Sequence, residues 1–220
     1  MDRFQDRTQI NKILADTYTK RFLKFGATPE GSYWLNASKQ NLRFKILLEE
    51  VSKISRLQKI TLADVGCGSG ALQFYIDSSA LAGHVSYYGY DISKSLIDYC
   101  EQRVQTPDAT FHIGDRPHLM VDFCLMSGTY NLTTTRNVTK WETYLYSSLS
   151  KCWERTKTAM IFNLQSDQEG YISKGNIYYC KVSSVLSRCR EFFGPTVCVY
   201  HELLSKDATF IVRKLSLIHI

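Results

Sequence analysis

The sequence predicts an α/β fold: a Rossmann-like, doubly wound, mostly parallel seven-stranded sheet with a C-terminal antiparallel edge hairpin and an N-terminal helical cap. Three observations carry this. From Lys59 onward, short apolar runs alternate with segments of helical period, the pattern of parallel strands joined by crossover helices. The stretch "LADVGCGSGALQFY", residues 62–75, sets three glycines between the first such run and a helix. The last two runs, "TVCVYHEL" and "ATFIVRK", lie too close in sequence for a crossover and so form a hairpin.

Residues 1–57 read as the cap and 58–220 as the core. Ile10, Ile13, Leu14, Tyr18 and Phe22 recur at helical spacing, and Gly26 offers a stop. The loop "GATPEGSYWLNAS" follows, with Tyr33 and Trp34 as a lid or aromatic wall. A second helix starts near Ser38. Phe44, Leu47, Leu48, Val51 and Ile54 form its buried stripe, flanked by Gln40 and Arg43. The core strands are "ITLADV", "HVSYYGYD", "ATFHIGD", "LMVDFCLMSG" and "AMIFNLQS". The helices are "SKSLIDYCEQRV", with a serine cap, "VTKWETYLYSSLSKCWERT" and "KVSSVLSRCREFF". A short turn at 205–207 closes the final hairpin. Ligands of open α/β sheets bind at the carboxyl ends of the strands. Residues 64–70, Asp91, Asp115, residues 127–131 and Asn163 then ring one crevice, with the cap expected over it.

A chain of 220 residues fits one domain. Its net charge of +6 permits an acidic partner such as nucleic acid. No basic-aromatic run or glycine-arginine tract supports that partner. The seven cysteines are odd in number and contain no C-x-x-C pair. This argues against a disulfide framework or a metal site and for a reducing, cytoplasmic setting. The N-terminus lacks an apolar signal core, and no apolar run reaches spanning length. No membrane partner is expected.

The loop "GCGSGA" satisfies the spacing of a dinucleotide site, and Asp91 ends the second strand at the position of a ribose acid. Taken alone, this fits a nicotinamide cofactor. Asp64, two residues before the first glycine, resists that reading, because a carboxylate at the loop repels a pyrophosphate and favours a cation. S-adenosylmethionine has a sulfonium, an ammonium and a ribose, and no phosphate.

At these residues the chain resembles the class I S-adenosylmethionine-dependent methyltransferases, including uncharacterised bacterial members. "LADVGCGSG" is similar to their first motif and "YYGYDIS" to their second. "FHIGD" resembles the adenine-contacting turn, and "LMSGTYNL" falls where their fourth motif lies. The resemblance covers roughly Lys59 to the C-terminus. It implies that Gly66, Cys67, Gly68 and Gly70 form the donor loop. Asp64 would accept from the loop backbone and the methionine ammonium. Asp91, with Ile92 beside it, would take the ribose hydroxyls, and Asp115 the adenine amine. Ser127 would border the donor, and Arg43 would pair with the methionine carboxylate. Each acid also has a plainer reading, as a loop cap, a helix cap or a turn former, and Arg43 as a solvated helix residue.

The resemblance implies methyl transfer to the oxygen or nitrogen of a small-molecule or glycan acceptor. An RNA or protein methyltransferase, a nicotinamide-dependent oxidoreductase and a non-catalytic binding module are the alternatives. The segment 127–131, Ser-Gly-Thr-Tyr-Asn, lacks the Asp/Asn-Pro-Pro-aromatic turn of amino-methylating DNA enzymes, which argues against adenine as acceptor. Tyr130, Asn163 and His201 are the candidate acceptor-side residues. His201, after strand six, is the candidate base.

Overall fold

The computed structural model describes residues 2–32, 36–104 and 106–215. Tyr33 and Trp34 lie outside the described residues. Two helices come first, α1 (Asp2–Phe25) and α2 (Ala37–Ile54). The core then runs β1 (Ile60–Val65), α3 (Ala71–Asp77), β2 (Val85–Asp91), α4 (Lys94–Arg103), β3 (Ala109–Ile113) and β4 (Val121–Met126). It continues α5 (Val138–Trp153), β5 (Thr156–Asp167), β6 (Tyr171–Ile172), β7 (Tyr178–Lys181), α6 (Val182–Phe192), β8 (Thr196–Val199) and β9 (Asp207–Arg213).

Polar caps set three helix starts. Asn36 and Asn137 accept from the N–H groups of Lys39 and Lys140 at 2.9 Å. Ser93 caps α4, as its sequence position predicts.

Strands β3-β2-β1-β4-β5 pair in parallel in that order. Beyond β5 the sheet divides. Residues 159–165 of β5 pair antiparallel with β9, which pairs with β8. Residues 165–167 pair with β7, which carries β6 as a small hairpin. The expected seven strands are therefore present, and β6–β7 is an addition. The expected turn at 205–207 needs correction: residues 200–206 connect the strands, with a 3-10 turn at Glu202–Leu204, and Asp207 is a buried β9 residue.

Both sheet faces are apolar, so strand residues on alternate sides are buried together. On one face Leu62, Tyr87, Phe123 and Ile161 pack with α2, α3 and α4 through Leu47, Val51, Leu72 and Ile97. On the other, Val65, Tyr90, Met126 and Phe162 pack with α5 and α6 through Trp141, Leu149 and Val185.

Residues 114–120 link β3 to the distant β4 without a helix. A parallel connection normally supplies one to cover its face. Here α1 does so from elsewhere in the chain, placing Ile10 and Leu14 in the cluster with Val65, Tyr90 and Met126. Further contacts fix α1 in place: Thr19 Oγ1 lies 2.7 Å from Ser93 Oγ, and Phe22 meets Tyr99 edge-on.

Candidate active site

A cavity of about 570 Å³ opens at the carboxyl ends of β1, β2 and β4. Asp64, Gly66, Cys67, Gly68, Asp91, Ile92, Asp115, Ser127, Tyr130 and Arg43 line it, as do Gln40, Gly114 and Asn131. Gly70, at left-handed φ +78, stands at the start of α3 just beyond this wall.

The loop between β1 and α3 turns sharply. Gly66 and Cys67 donate backbone hydrogen bonds to the Tyr90 carbonyl at 2.7 and 3.0 Å. Gly66 has φ +81, and a Cβ there would stand 2.7 Å from the Thr129 side chain. Thr129 in turn donates to the Val65 carbonyl at 2.7 Å, tying the loop after β4 to the end of β1. Only glycine meets both demands.

Asp64 differs from its expected role. No loop N–H reaches it among the described residues. Its Oδ2 accepts from the Tyr87 hydroxyl at 2.6 Å, and Oδ1 is buried without a partner. Burial pushes its carboxyl up to about 7, against the Tyr87 hydrogen bond and with help from nearby Asp91. Asp91 accepts from Gly68 N–H at 3.0 Å and Ser93 N–H at 2.8 Å, so it braces both the glycine loop and α4. Burial raises it to about 6 in spite of those bonds. Asp115 binds α1: its Oδ2 accepts from Arg7 Nε and Nη2 and from Asn11 Nδ2. Burial opposes ionisation there, but the Arg7 charge and these bonds prevail and hold the carboxyl below the usual range. Burial pushes the Cys67 thiol well up, making it a neutral wall residue.

Arg43 lines the cavity yet is ion-paired to Asp207 within the protein, both side chains buried. Asn163 requires correction. It sits under the crevice, 1% exposed, and not on the cavity wall. Its Oδ1 accepts from Gly128 N–H and its Nδ2 donates to Asp207 Oδ1, each at 2.7 Å. Both ends of the amide are thereby used in holding the loop after β4 against β9. His201 also requires correction. It is absent from the cavity wall, and its Nδ1 accepts from Leu203 N–H at 3.2 Å as the cap of the 3-10 turn.

Tyr130 does reach the cavity, with Leu132, Ile177, Tyr179 and Leu203 around the same end. The β6–β7 hairpin closes this end by binding the loop after β4: Tyr178 N–H donates to the Asn131 carbonyl at 2.8 Å, and Leu132 bridges Ile177. Sequence reasoning missed the hairpin. Its signal was the turn "KGN" between apolar pairs, where Asn176 takes φ 60.

These residues fit a cationic adenosine-bearing donor. The orphaned Asp64 Oδ1 and Ser127 Oγ are buried polar atoms that lack partners, and both residues line the cavity. Among the described residues, no group of three or more His, Cys, Asp or Glu side chains is arranged to hold a metal. Nor is any helix long and apolar enough to cross a membrane.

Comparison with known proteins agrees. Residues 63–157 match a methyltransferase domain family. Rv1506c of Mycobacterium tuberculosis, provisionally named a methyltransferase, is 23% identical over 165 residues, covering 74% of this chain and 98% of that one. The magnesium protoporphyrin IX methyltransferase of Synechocystis PCC 6803, solved with bound S-adenosylmethionine, superposes with a TM-score of 0.66 at 12% identity, covering 96% of this chain and 97% of that one. An S-adenosylmethionine-dependent methyltransferase of Leishmania major also gives a TM-score of 0.66, at 10% identity, over 91% and 82% of the two chains. The methyltransferase-domain match spans the glycine loop and both following acids, and together with the methyltransferase relative and the donor-bound structural neighbour it supports an S-adenosylmethionine-dependent methyltransferase.

Proposed function

We propose that the chain methylates the oxygen or nitrogen of a small, largely apolar acceptor. The observation that carries this is that one cavity joins the donor-side acids to a wall of Tyr130, Leu132, Ile177, Tyr179 and Leu203. Four carboxylates, Asp64, Asp91, Asp115 and Asp207, also line it. The cations on the wall are Lys39, Arg43 and Lys206; Arg43 pairs with Asp207, and Lys206 with Asp167 at 3.0 Å. A phosphate backbone finds little to neutralise it in such a place, which favours a small molecule over RNA. A glycan is a second reading, supported by the tyrosines as platforms for a sugar ring.

In this reading the donor supplies a methyl already activated on a sulfonium. The protein's part is alignment and exclusion of water. Asp64 Oδ1 binds the ammonium, Asp91 the ribose hydroxyls and Asp115 the adenine amine. The loop of Gly66, Cys67, Gly68 and Gly70, with Ile92 and Ser127, packs around them. Arg43, held on the cavity wall by its pair with Asp207, faces the methionine carboxylate. Residues 1–57 serve as a cap that brings Leu14, Tyr18, Gln40 and Arg43 to the wall. Burial pushes the Tyr130 hydroxyl well above its usual range, so it stays protonated and orients the acceptor as a wall residue rather than acting as a base.

Calorimetry with S-adenosylmethionine, S-adenosylhomocysteine and NADH tests the donor side; binding of NADH alone overturns it. Labelled methyl transfer to a panel of phenols, aromatic amines, oligosaccharides, RNA and protein tests the acceptor side. Incorporation into the phenols or amines is expected. Incorporation into oligosaccharide alone assigns the glycan, and into RNA or protein alone rejects the small molecule.

A further inference from the structure

The most elaborate polar cluster outside the glycine loop surrounds Asp115. Arg7 enters it from α1 and is itself only 9% exposed. Its Nε and Nη2 donate to Asp115 Oδ2 at 3.2 and 2.7 Å, and its Nη1 donates to Ser148 Oγ at 2.8 Å. Ser148 Oγ in turn donates a hydrogen bond to the Tyr144 carbonyl at 2.8 Å. Asn11 Nδ2 adds a third bond to Oδ2 at 2.8 Å, and Asn11 Oδ1 is fixed by the Tyr144 hydroxyl at 2.7 Å.

All three hydrogen bonds to the carboxylate fall on one oxygen. The other, Oδ1, accepts no hydrogen bond among the described residues and lies 3.5 Å from the half-exposed Arg116 guanidinium. Asp115 lies on the cavity wall beside Gly114 and Leu14. A planar guanidinium fork and a fixed amide leave the carboxylate little rotational freedom. An ionised carboxylate accepts hydrogen bonds and cannot donate them. Held in this way it welcomes an N–H group and rejects a carbonyl oxygen.

We propose that Arg7 and Asn11 are positioning residues that aim Asp115 Oδ1 at the purine of the donor, and that they thereby set selection for a 6-amino over a 6-oxo purine. The proposal rests on the donor assignment above. It gives α1 a part in donor recognition, since a helix outside the methyltransferase-domain match supplies the selectivity of an acid within it.

The test is calorimetry with S-adenosylhomocysteine and its 6-oxo counterpart, S-inosylhomocysteine, on wild type, Arg7→Met and Arg7→Lys, with thermal unfolding run beside each. Wild type is expected to favour the amino compound at least about tenfold, the usual scale for one charge-assisted hydrogen bond. Arg7→Met should bring the ratio down several-fold, mainly through weaker binding of the amino compound, and Arg7→Lys should fall between. An unchanged ratio in folded Arg7→Met, or equal losses for both compounds, overturns the proposal. If Arg7→Met does not fold, Asn11→Leu is read by the same ratio. Wild type that binds neither compound overturns the donor assignment, and this proposal with it.

Discussion

The Tyr87 hydroxyl donates a 2.6 Å hydrogen bond to Asp64 Oδ2, and it is the only partner of that carboxylate among the described residues. The two residues sit on adjacent parallel strands, each almost fully buried. One oxygen of Asp64 is thus bonded inward, and the other is buried without a hydrogen-bond partner.

Tyr87→Phe removes the inward bond and leaves both oxygens without partners. The expected cost is about 1–3 kcal/mol of stability, together with weaker S-adenosylhomocysteine binding at neutral pH, because the carboxyl then ionises less readily. Urea unfolding and calorimetry read the two effects separately.

Asp64 at about 7 and Asp91 at about 6 titrate well above an unfolded carboxylate. Between about pH 4 and these values the folded protein holds protons that the unfolded chain has lost. Their contribution to the stability of the ligand-free protein is full below about pH 4 and is lost as pH rises through 6 and then 7. A ligand ammonium has the opposite preference, for ionised Asp64. Affinity for S-adenosylhomocysteine should rise up to about pH 7, with proton release on binding at pH 6 and little at pH 8.5. Calorimetry in two buffers of different ionisation enthalpy measures that release.

Gly66 and Gly83 both have positive φ, but only Gly66 has a neighbour where a Cβ would stand. Gly83→Ala should cost about 1–2 kcal/mol, the left-handed penalty alone. Gly66→Ala adds the clash with Thr129, so it should cost more and weaken donor binding. Melting temperatures of the two variants, compared side by side, check this.

Arg43 and Asp207 form a buried ion pair, and Asn163 and Gln165 also donate to Asp207. Arg43→Met strands a buried carboxylate and should cost about 3–5 kcal/mol. The Arg43→Met, Asp207→Leu double variant should recover part of that loss, which a double-mutant cycle of unfolding free energies would show.

His201→Ala should leave methyl transfer unchanged and lower stability by no more than about 1 kcal/mol, the worth of a cap. A large loss of rate at normal donor affinity would return His201 to the active site.

Much of this was legible from local pattern. The short apolar runs located the seven main strands, and the glycines marked the sharp turn between β1 and α3. The two strands β6 and β7 were not legible, since two and four residues are too few to show a period, yet Ile177 and Tyr179 line the cavity.

By itself the sequence determined the class of the fold and the position of the glycine loop, because glycine conformation and strand–helix alternation are properties of neighbouring residues. Only the tertiary structure decided which charged groups are committed to one another. Asp115 is claimed by Arg7 from 108 positions away, and Arg43 by Asp207 from 164. Asn163 turned out to be a brace and His201 a cap for the same reason. A buried polar group takes whichever partner packing brings to it, and no local pattern in the chain records that partner.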